Sequence, residues 1–266
     1  MIGKIPDAHA MGAIIGCEDF ALHHVNYRIM EYISHLSKDK KFATLLKGAE
    51  PFKIRRRKNV FLYLCASIMS QQLSTKVAAV IYNRFIELYH GYEPEPQEVL
   101  LTPSPELRAI GLSNAKVSYV QNVARFAVES GMDFATLQKM NDEEVIVYLT
   151  TIKGVGRWTV EMLLMSALGR EDVFAVDDLG IQQAMIKMYK LEKLDKKALR
   201  VKMLKISEKW RPYRTYACRH LWGWKDNSPV EPGKAEVSKN ADDSLKTIGL
   251  TKTNAPKKSR PARSVR

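Results

Sequence analysis

The chain is poor in cysteine, in long apolar runs and in hairpin signals. Its three cysteines, Cys17, Cys65 and Cys218, stand far apart among 266 residues and form no Cys-x-x-Cys pair. They cannot supply the four thiolates of a typical iron–sulfur cluster or a Cys-rich zinc site, and a disulfide framework is not expected. The expectation is a reducing compartment and no metal. The longest apolar run, Val60 to Met69, is ten residues interrupted only by Ser67, about half of what a helical membrane span needs. Met1-Ile2-Gly3-Lys4 carries no apolar signal core, so neither a membrane nor a secreted protein is expected. No stretch alternates apolar and polar residues beyond a few positions, and Asn-Gly and Asp-Gly hairpin dipeptides are missing. Nothing repeats at a fixed period. The expected class is all-α.

Positive charge is plentiful. Lys and Arg number 42 against 29 Asp and Glu, a formal charge of +13, and 45% of residues are hydrophobic, enough for a large core. A basic, globular chain favours a polyanionic partner, of which nucleic acid is the commonest. Residues 225–266 have ten basic and five acidic side chains, no aromatic residue, and Pro229, Pro232, Pro256 and Pro261. Such a segment buries too little apolar surface to offset its ordering entropy, so it is expected to be a disordered basic tail following a folded unit over 1–224. The run Lys257-Lys258-Ser259-Arg260-Pro261-Ala262-Arg263 suits a DNA backbone, a nuclear address or simple solubility, and the sequence leaves all three open.

Within 1–224 the pattern predicts helices joined by short turns. Two adjoin between Lys58 and Leu88, broken at Ser70-Gln71-Gln72-Leu73-Ser74. Pro103, Ser104 and Pro105 open another that Gly111 ends. Further helices are predicted over Asn114 to Glu129, Asp142 to Leu149 and Arg157 to Leu168, the last stopped by Gly169. Between the last two lies Thr150-Thr151-Ile152-Lys153-Gly154-Val155-Gly156. Glycines at that spacing turn the backbone tightly and leave amides open at the next helix start, a ready anion site. A helix–helix turn needing glycine only for its dihedrals explains the same spacing.

The order of motifs is more specific. Ile152-Lys153-Gly154-Val155-Gly156-Arg157-Trp158-Thr159-Val160, then Val176-Asp177-Asp178-Leu179-Gly180-Ile181, resemble the signature of the helix-hairpin-helix (HhH-GPD) DNA glycosylases. Together with Ser70-Gln71-Gln72-Leu73-Ser74 and the segment from Lys209 to Trp222, they are similar to the 3-methyladenine DNA glycosylase II type over roughly residues 55–224. The resemblance implies two helical subdomains with an active cleft between them and the hairpin at 150–157. It implies a monomer acting on double-stranded DNA that contains damaged bases, in the cytoplasm or nucleoid of a bacterium or the nucleus of a eukaryote.

It also assigns roles. Asp178, three residues before Ile181, takes the catalytic position, leaving Asp177 as a helix cap; on residues alone, capping of a helix over 178–190 explains both aspartates. Trp158, Trp222, Gln71 and Met162 match base-pocket positions, with core packing as the alternative for the two indoles. Lys153, Gly154, Gly156, Arg157 and Thr159 match the DNA-binding hairpin. Gln72 matches the plug that fills the gap left by a flipped nucleotide, with a polar helix cap as its alternative. Trp158 stands where bifunctional members carry a nucleophilic lysine, so hydrolysis without strand cleavage is implied. No organic cofactor is implied, and the resemblance leaves room for a monovalent cation at the hairpin carbonyls. Lys153 replaces the family's usual proline, no proline precedes the aspartates, which suggests a less rigid loop there, and Met162 replaces a tyrosine of one relative. The N-terminal β-domain of longer relatives is not expected, since residues 1–54 show no strand pattern. Gly111-Leu112-Ser113 with Lys116 and Tyr119 is similar to a family turn that touches DNA. Arg55-Arg56-Arg57-Lys58 reads as a phosphate contact or a solvated turn, and His23, His24 and His35 as solvated or packed residues. Two other functions stay open on the residues: a non-catalytic hairpin module that binds DNA, and a glycosylase for deaminated bases.

Overall fold

The computed structural model describes residues 31–47 and 49–227, and among them the regular structure is entirely helical. At its centre is α2 (Val60–Ser70), in which every residue is buried. The apolar run too short for a membrane is thus a core helix, as an all-round hydrophobic helix should be. Around it lie α3 (Thr75–Leu88), α4 (Pro96–Leu101), α5 (Ser104–Ala109), α6 (Asn114–Glu129), α7 (Phe134–Lys139), α8 (Asp142–Thr150) and α9 (Arg157–Ser166). α2 packs on α3, α6 and α9, and the Tyr63 hydroxyl donates to the Met162 carbonyl at 3.1 Å, tying α2 to α9.

A second group comes from both ends of the described chain. It contains residues 31–36, which are helical, α1 (Lys40–Leu46), α10 (Leu179–Tyr189), α11 (Lys196–Ser207), a 3-10 turn (Glu208–Trp210) and α12 (Arg214–Asn227). α12 packs on α10 and on α1. Trp210, fully buried, is its aromatic hub, with ring centroids 5.1 Å from Phe42 and 5.8 Å from Phe174. Tyr32 stacks on Tyr216 at 4.1 Å, joining the start of the described chain to α12.

The helix starts follow local chemistry. Asn59, Ser74, Ser113, Asp133, Asn141 and Asp195 each accept from first-turn amides of the helix they precede, and Asn141 forms a capping box with Glu144. The predicted break at 70–74 and the predicted helix Asn114–Glu129 are both found. α9 ends at Ser166, two residues before the predicted end, and Gly169 follows with φ +68°. The expected tail boundary is corrected: α12 continues to Asn227, so residues 225–227 are helical, while 228–266 lie outside the described residues, as do His23, His24 and Cys17. No helix among the described residues is long and apolar enough to cross a membrane.

Candidate active site

Asp178 sits where the two helical groups meet. It is the N-cap of α10, and Oδ1 accepts the Ile181 amide at 2.8 Å. The same Oδ1 accepts the indole N–H of Trp222 from α12 at 2.8 Å, and Oδ2 accepts that of Trp158 from α9 at 2.8 Å. Three N–H donors from three helices therefore converge on a carboxylate that is only 7% exposed. Hydrogen bonds to an ionised acceptor are each worth about 1.5–3 kcal/mol, and together they offset the cost of holding this charge out of water. Capping and the carboxylate's place in the site are properties of one residue. The cap expected at Asp177 is corrected accordingly: Asp177 is exposed and forms a close ion pair with Arg200.

The loop before Asp178 lacks the proline that would stiffen it, and other contacts tie it down. Val173, Phe174, Ala175 and Val176 are buried. The Val173 amide donates to Thr215 Oγ1 at 3.0 Å, that hydroxyl donates to the Arg170 carbonyl at 2.7 Å, and Arg214 clasps Asp172 at 2.7 Å. Packing and hydrogen bonds to α12 replace the ring's constraint. Gly180 leaves little room for a side chain: a Cβ there would lie 3.1 Å from both Asp178 Oδ1 and Trp222 Cδ1.

Trp158 is partly exposed beside Asp178, whereas Trp222 is 5% exposed and has its edge on Gly180. Met162, expected to line a pocket, lies one helical turn after Trp158 and is 3% exposed, so its side chain belongs to the core. Gln71 is the C-cap of α2 and half-buried. Gln72 follows it exposed, with φ +59°, an uncommon conformation for a residue with a side chain.

The hairpin joins α8 to α9. Ile152 and Val155 are buried beneath it, and Lys153 is exposed at its tip. Gly154 has φ +105°, and a Cβ there would fall 2.3 Å from Tyr119 Cγ, so both dihedral and contact demand glycine. Gly156 differs: its φ is −95° and a Cβ would meet nothing within 4 Å. As N-cap of α9 it brings no capping side chain, and the first-turn amides of the helix receive no side-chain cap bond. Thr159 is buried, which leaves only its amide to contribute there. Arg157 stays exposed but is paired within the protein, in a close ion pair with the exposed Glu143 and at 3.1 Å from the buried Glu161. Burial pushes the Glu161 carboxyl up to about 7 despite the opposing Arg157 charge. Glu161, like Glu143 and Arg200, lies outside the motifs, although its spacing of four from Arg157 on a helix is a readable pairing signal.

Two hairpin carbonyls are already acceptors, Ile152 from the Val155 amide at 2.9 Å and Lys153 from Asn122 Nδ2 at 3.0 Å. Lys116 and Tyr119, expected at the DNA, point inward, Lys116 to the end of α2 and Tyr119 to Gly154. In the basic run, Arg56 packs against Gly169, and the Arg57 amide donates to the Ala167 carbonyl at 2.9 Å. His35 meets the Lys209 carbonyl at 3.1 Å.

Comparison with known proteins agrees with this arrangement. A family model described as HhH-GPD superfamily base excision DNA repair protein matches residues 65–212. DNA-3-methyladenine glycosylase 1 of Schizosaccharomyces pombe is 34% identical over 202 residues, covering 73% of this chain and 87% of that protein. The DNA-3-methyladenine glycosylase of Saccharomyces cerevisiae is 38% identical over 170 residues, covering 59% of this chain and 57% of its own length. Among solved structures, the S. pombe 3-methyladenine DNA glycosylase in complex with abasic DNA superposes with a TM-score of 0.65 at 33% identity, covering 72% of this chain and 95% of that one.

Proposed function

The chain belongs to the HhH-GPD superfamily of base excision DNA repair proteins, and we propose that it hydrolyses the N-glycosidic bond of alkylated purines in duplex DNA, leaving an abasic site. The observation that carries this reading is the triply hydrogen-bonded Asp178. Breaking the bond builds positive charge on the deoxyribose. A carboxylate already oriented, and anchored in the first turn of a helix, stabilises that charge without reorganising when it forms, and orients the attacking water. Donors aimed at the carboxylate hold it in one orientation. The chemistry is monofunctional because Trp158 stands in the nucleophile position.

The remaining residues divide the work of holding DNA. A backbone phosphate docks on the uncapped amides at the start of α9, where helix dipole and N–H groups without a capping side chain both favour an anion. Gly156, which nothing inside the protein requires, is explained by close approach of that phosphate. Lys153 adds charge at the tip. The partly exposed face of Trp158 receives the flipped base, and a cationic alkylpurine gains about 0.5–2 kcal/mol over an electron-rich indole, which selects it without many polar contacts. Trp222, buried, serves by gripping Asp178. Gln72, projecting at its left-handed turn, fills the gap in the duplex. The protein acts as a monomer wherever chromosomal DNA lies, nucleoid or nucleus, and its basic C-terminal segment adds to affinity.

The test compares the intact protein with Asp178→Asn for release of free base from methylated duplex DNA, together with duplex binding. Release is expected from the first, a loss of at least about a hundredfold from the second, and equal binding by both. Binding without release by either protein on methylated DNA, but release on deaminated DNA, would overturn the alkylpurine assignment. Release by neither on any lesion would leave a DNA-binding module.

A further inference from the structure

One face of α6 touches both of the features assigned to DNA. Lys116, Tyr119 and Asn122 are spaced by three, so they share a side of the helix. Lys116 Nζ donates to the Met69 carbonyl at 2.9 Å and to the Gln71 carbonyl at 2.7 Å. These belong to the last turn of α2 and its cap, whose carbonyls have no helical partner and whose dipole favours a cation. The ammonium is half-buried in doing so, and its pKa is pushed down by that burial. Gln72 is the very next residue, at φ +59°. Farther along the same face, the Tyr119 ring occupies the space in which a Gly154 side chain would stand, and Asn122 Nδ2 holds the Lys153 carbonyl at 3.0 Å.

We infer that α6 is a strut that sets the separation between the Gln72 turn and the hairpin, with Lys116 as the positioning residue for Gln72 and Tyr119 and Asn122 as those for the hairpin. The helix rises 1.5 Å per residue, so positions 116 and 122 lie about 9 Å apart along it, equal to two or three base steps of a DNA strand. A phosphate held at the hairpin is thereby kept in register with the gap that Gln72 enters. The inference rests on the reading of Gln72 and the hairpin as DNA contacts. It accounts for the inward turn of Lys116. Holding a carbonyl pair beside a residue in the left-handed region requires a donor that reaches both, which a long ammonium does.

The experiment is a mutant cycle between Lys116→Met and Gln72→Ala in the full chain. It reads single-turnover base release, duplex affinity, and the fluorescence of 2-aminopurine placed opposite the lesion, which reports filling of the gap. Lys116→Met is expected to slow release about tenfold and to reduce the fluorescence change, since a charge-assisted contact is lost. Affinity for undamaged duplex stays within about twofold, and adding Lys116→Met to Gln72→Ala costs less than about twofold more. Lys116→Arg restores most of the rate. Independent, multiplying effects would overturn the inference, as would an unchanged rate in Lys116→Met where Gln72→Ala is slow. If thermal unfolding shows Lys116→Met misfolded, Lys116→Gln replaces it in the cycle. An unchanged rate in Gln72→Ala alone overturns the plug reading and this inference with it, and leaves the Asp178 result standing.

Discussion

At the scale of single residues, the carboxylate of Asp178 is set by its three donors, and each can be removed separately. Trp222→Phe deletes one indole N–H while keeping most of the ring, and excision is expected to slow about tenfold with little change in DNA affinity. Gly180→Ala places a methyl 3.1 Å from both Asp178 Oδ1 and Trp222 Cδ1, and a close-packed neighbour must move, so activity falls while the unfolding midpoint in urea drops by the equivalent of about 1–3 kcal/mol. Kinetics on methylated duplex and urea titration check the pair. The motif pattern singled out Asp178 and both indoles. It did not reveal that one residue both caps α10 and receives the indoles, because the choice between Asp177 and Asp178 turns on a one-residue offset that places one carboxylate inward and the other against Arg200. Nor could helical spacing separate Met162 from a pocket position, since α9 is apolar on nearly every side and only its neighbours decide which side opens.

At the scale of the elements, the two hairpin glycines should answer differently to the same substitution. Gly154→Ala meets both a positive φ and the Tyr119 ring, and is expected to destabilise the fold by more than about 1 kcal/mol, read by denaturant unfolding. Gly156→Ala meets neither, so stability should hold within about 0.5 kcal/mol while duplex affinity falls. Equal loss of stability in both would remove the argument that Gly156 answers to the phosphate. Helices with strong caps or long periodicity, such as α6 and the break between α2 and α3, were legible from sequence. α4 and α7 were not delimited, because six residues give less than two turns of period for a pattern to show. The inward turn of Lys116 and the surface pairing of Arg157 with Glu143 were also hidden. A basic side chain near a DNA motif reads as a phosphate contact until the carbonyls and carboxylates that packing brings to it are seen.

For the molecule as a whole, two buried titratable groups oppose each other in one pH window. Burial pushes His220 from 6.5 down to about 4, so the unfolded chain binds a proton that the folded one refuses, and stability is lost as pH falls through that range. Burial pushes Glu161 from 4.5 up to about 7, so the folded chain holds a proton longer, and stability falls as pH rises from 4.5 to 7. Between about pH 4.5 and 6.5 the two slopes partly cancel. Urea unfolding of His220→Phe should expose a stability that declines with rising pH, and of Glu161→Gln one that climbs. Net charge of +13 was a correct pointer to a polyanion, but which ionisable groups lie buried follows from how distant helices pack.

The two helical groups also have an order in time. Asp178 is gripped by α12, and α12 in turn packs on α1 and Tyr32 near the opposite end of the described chain. On a ribosome, α2 to α9 can fold as they emerge, but the grip on Asp178 is incomplete until Trp222 leaves the exit tunnel. A nascent or truncated chain can thus present the hairpin with an incompletely held carboxylate. The hydrogen-bond set of Asp178 is completed last, by the final described helix closing back on α1.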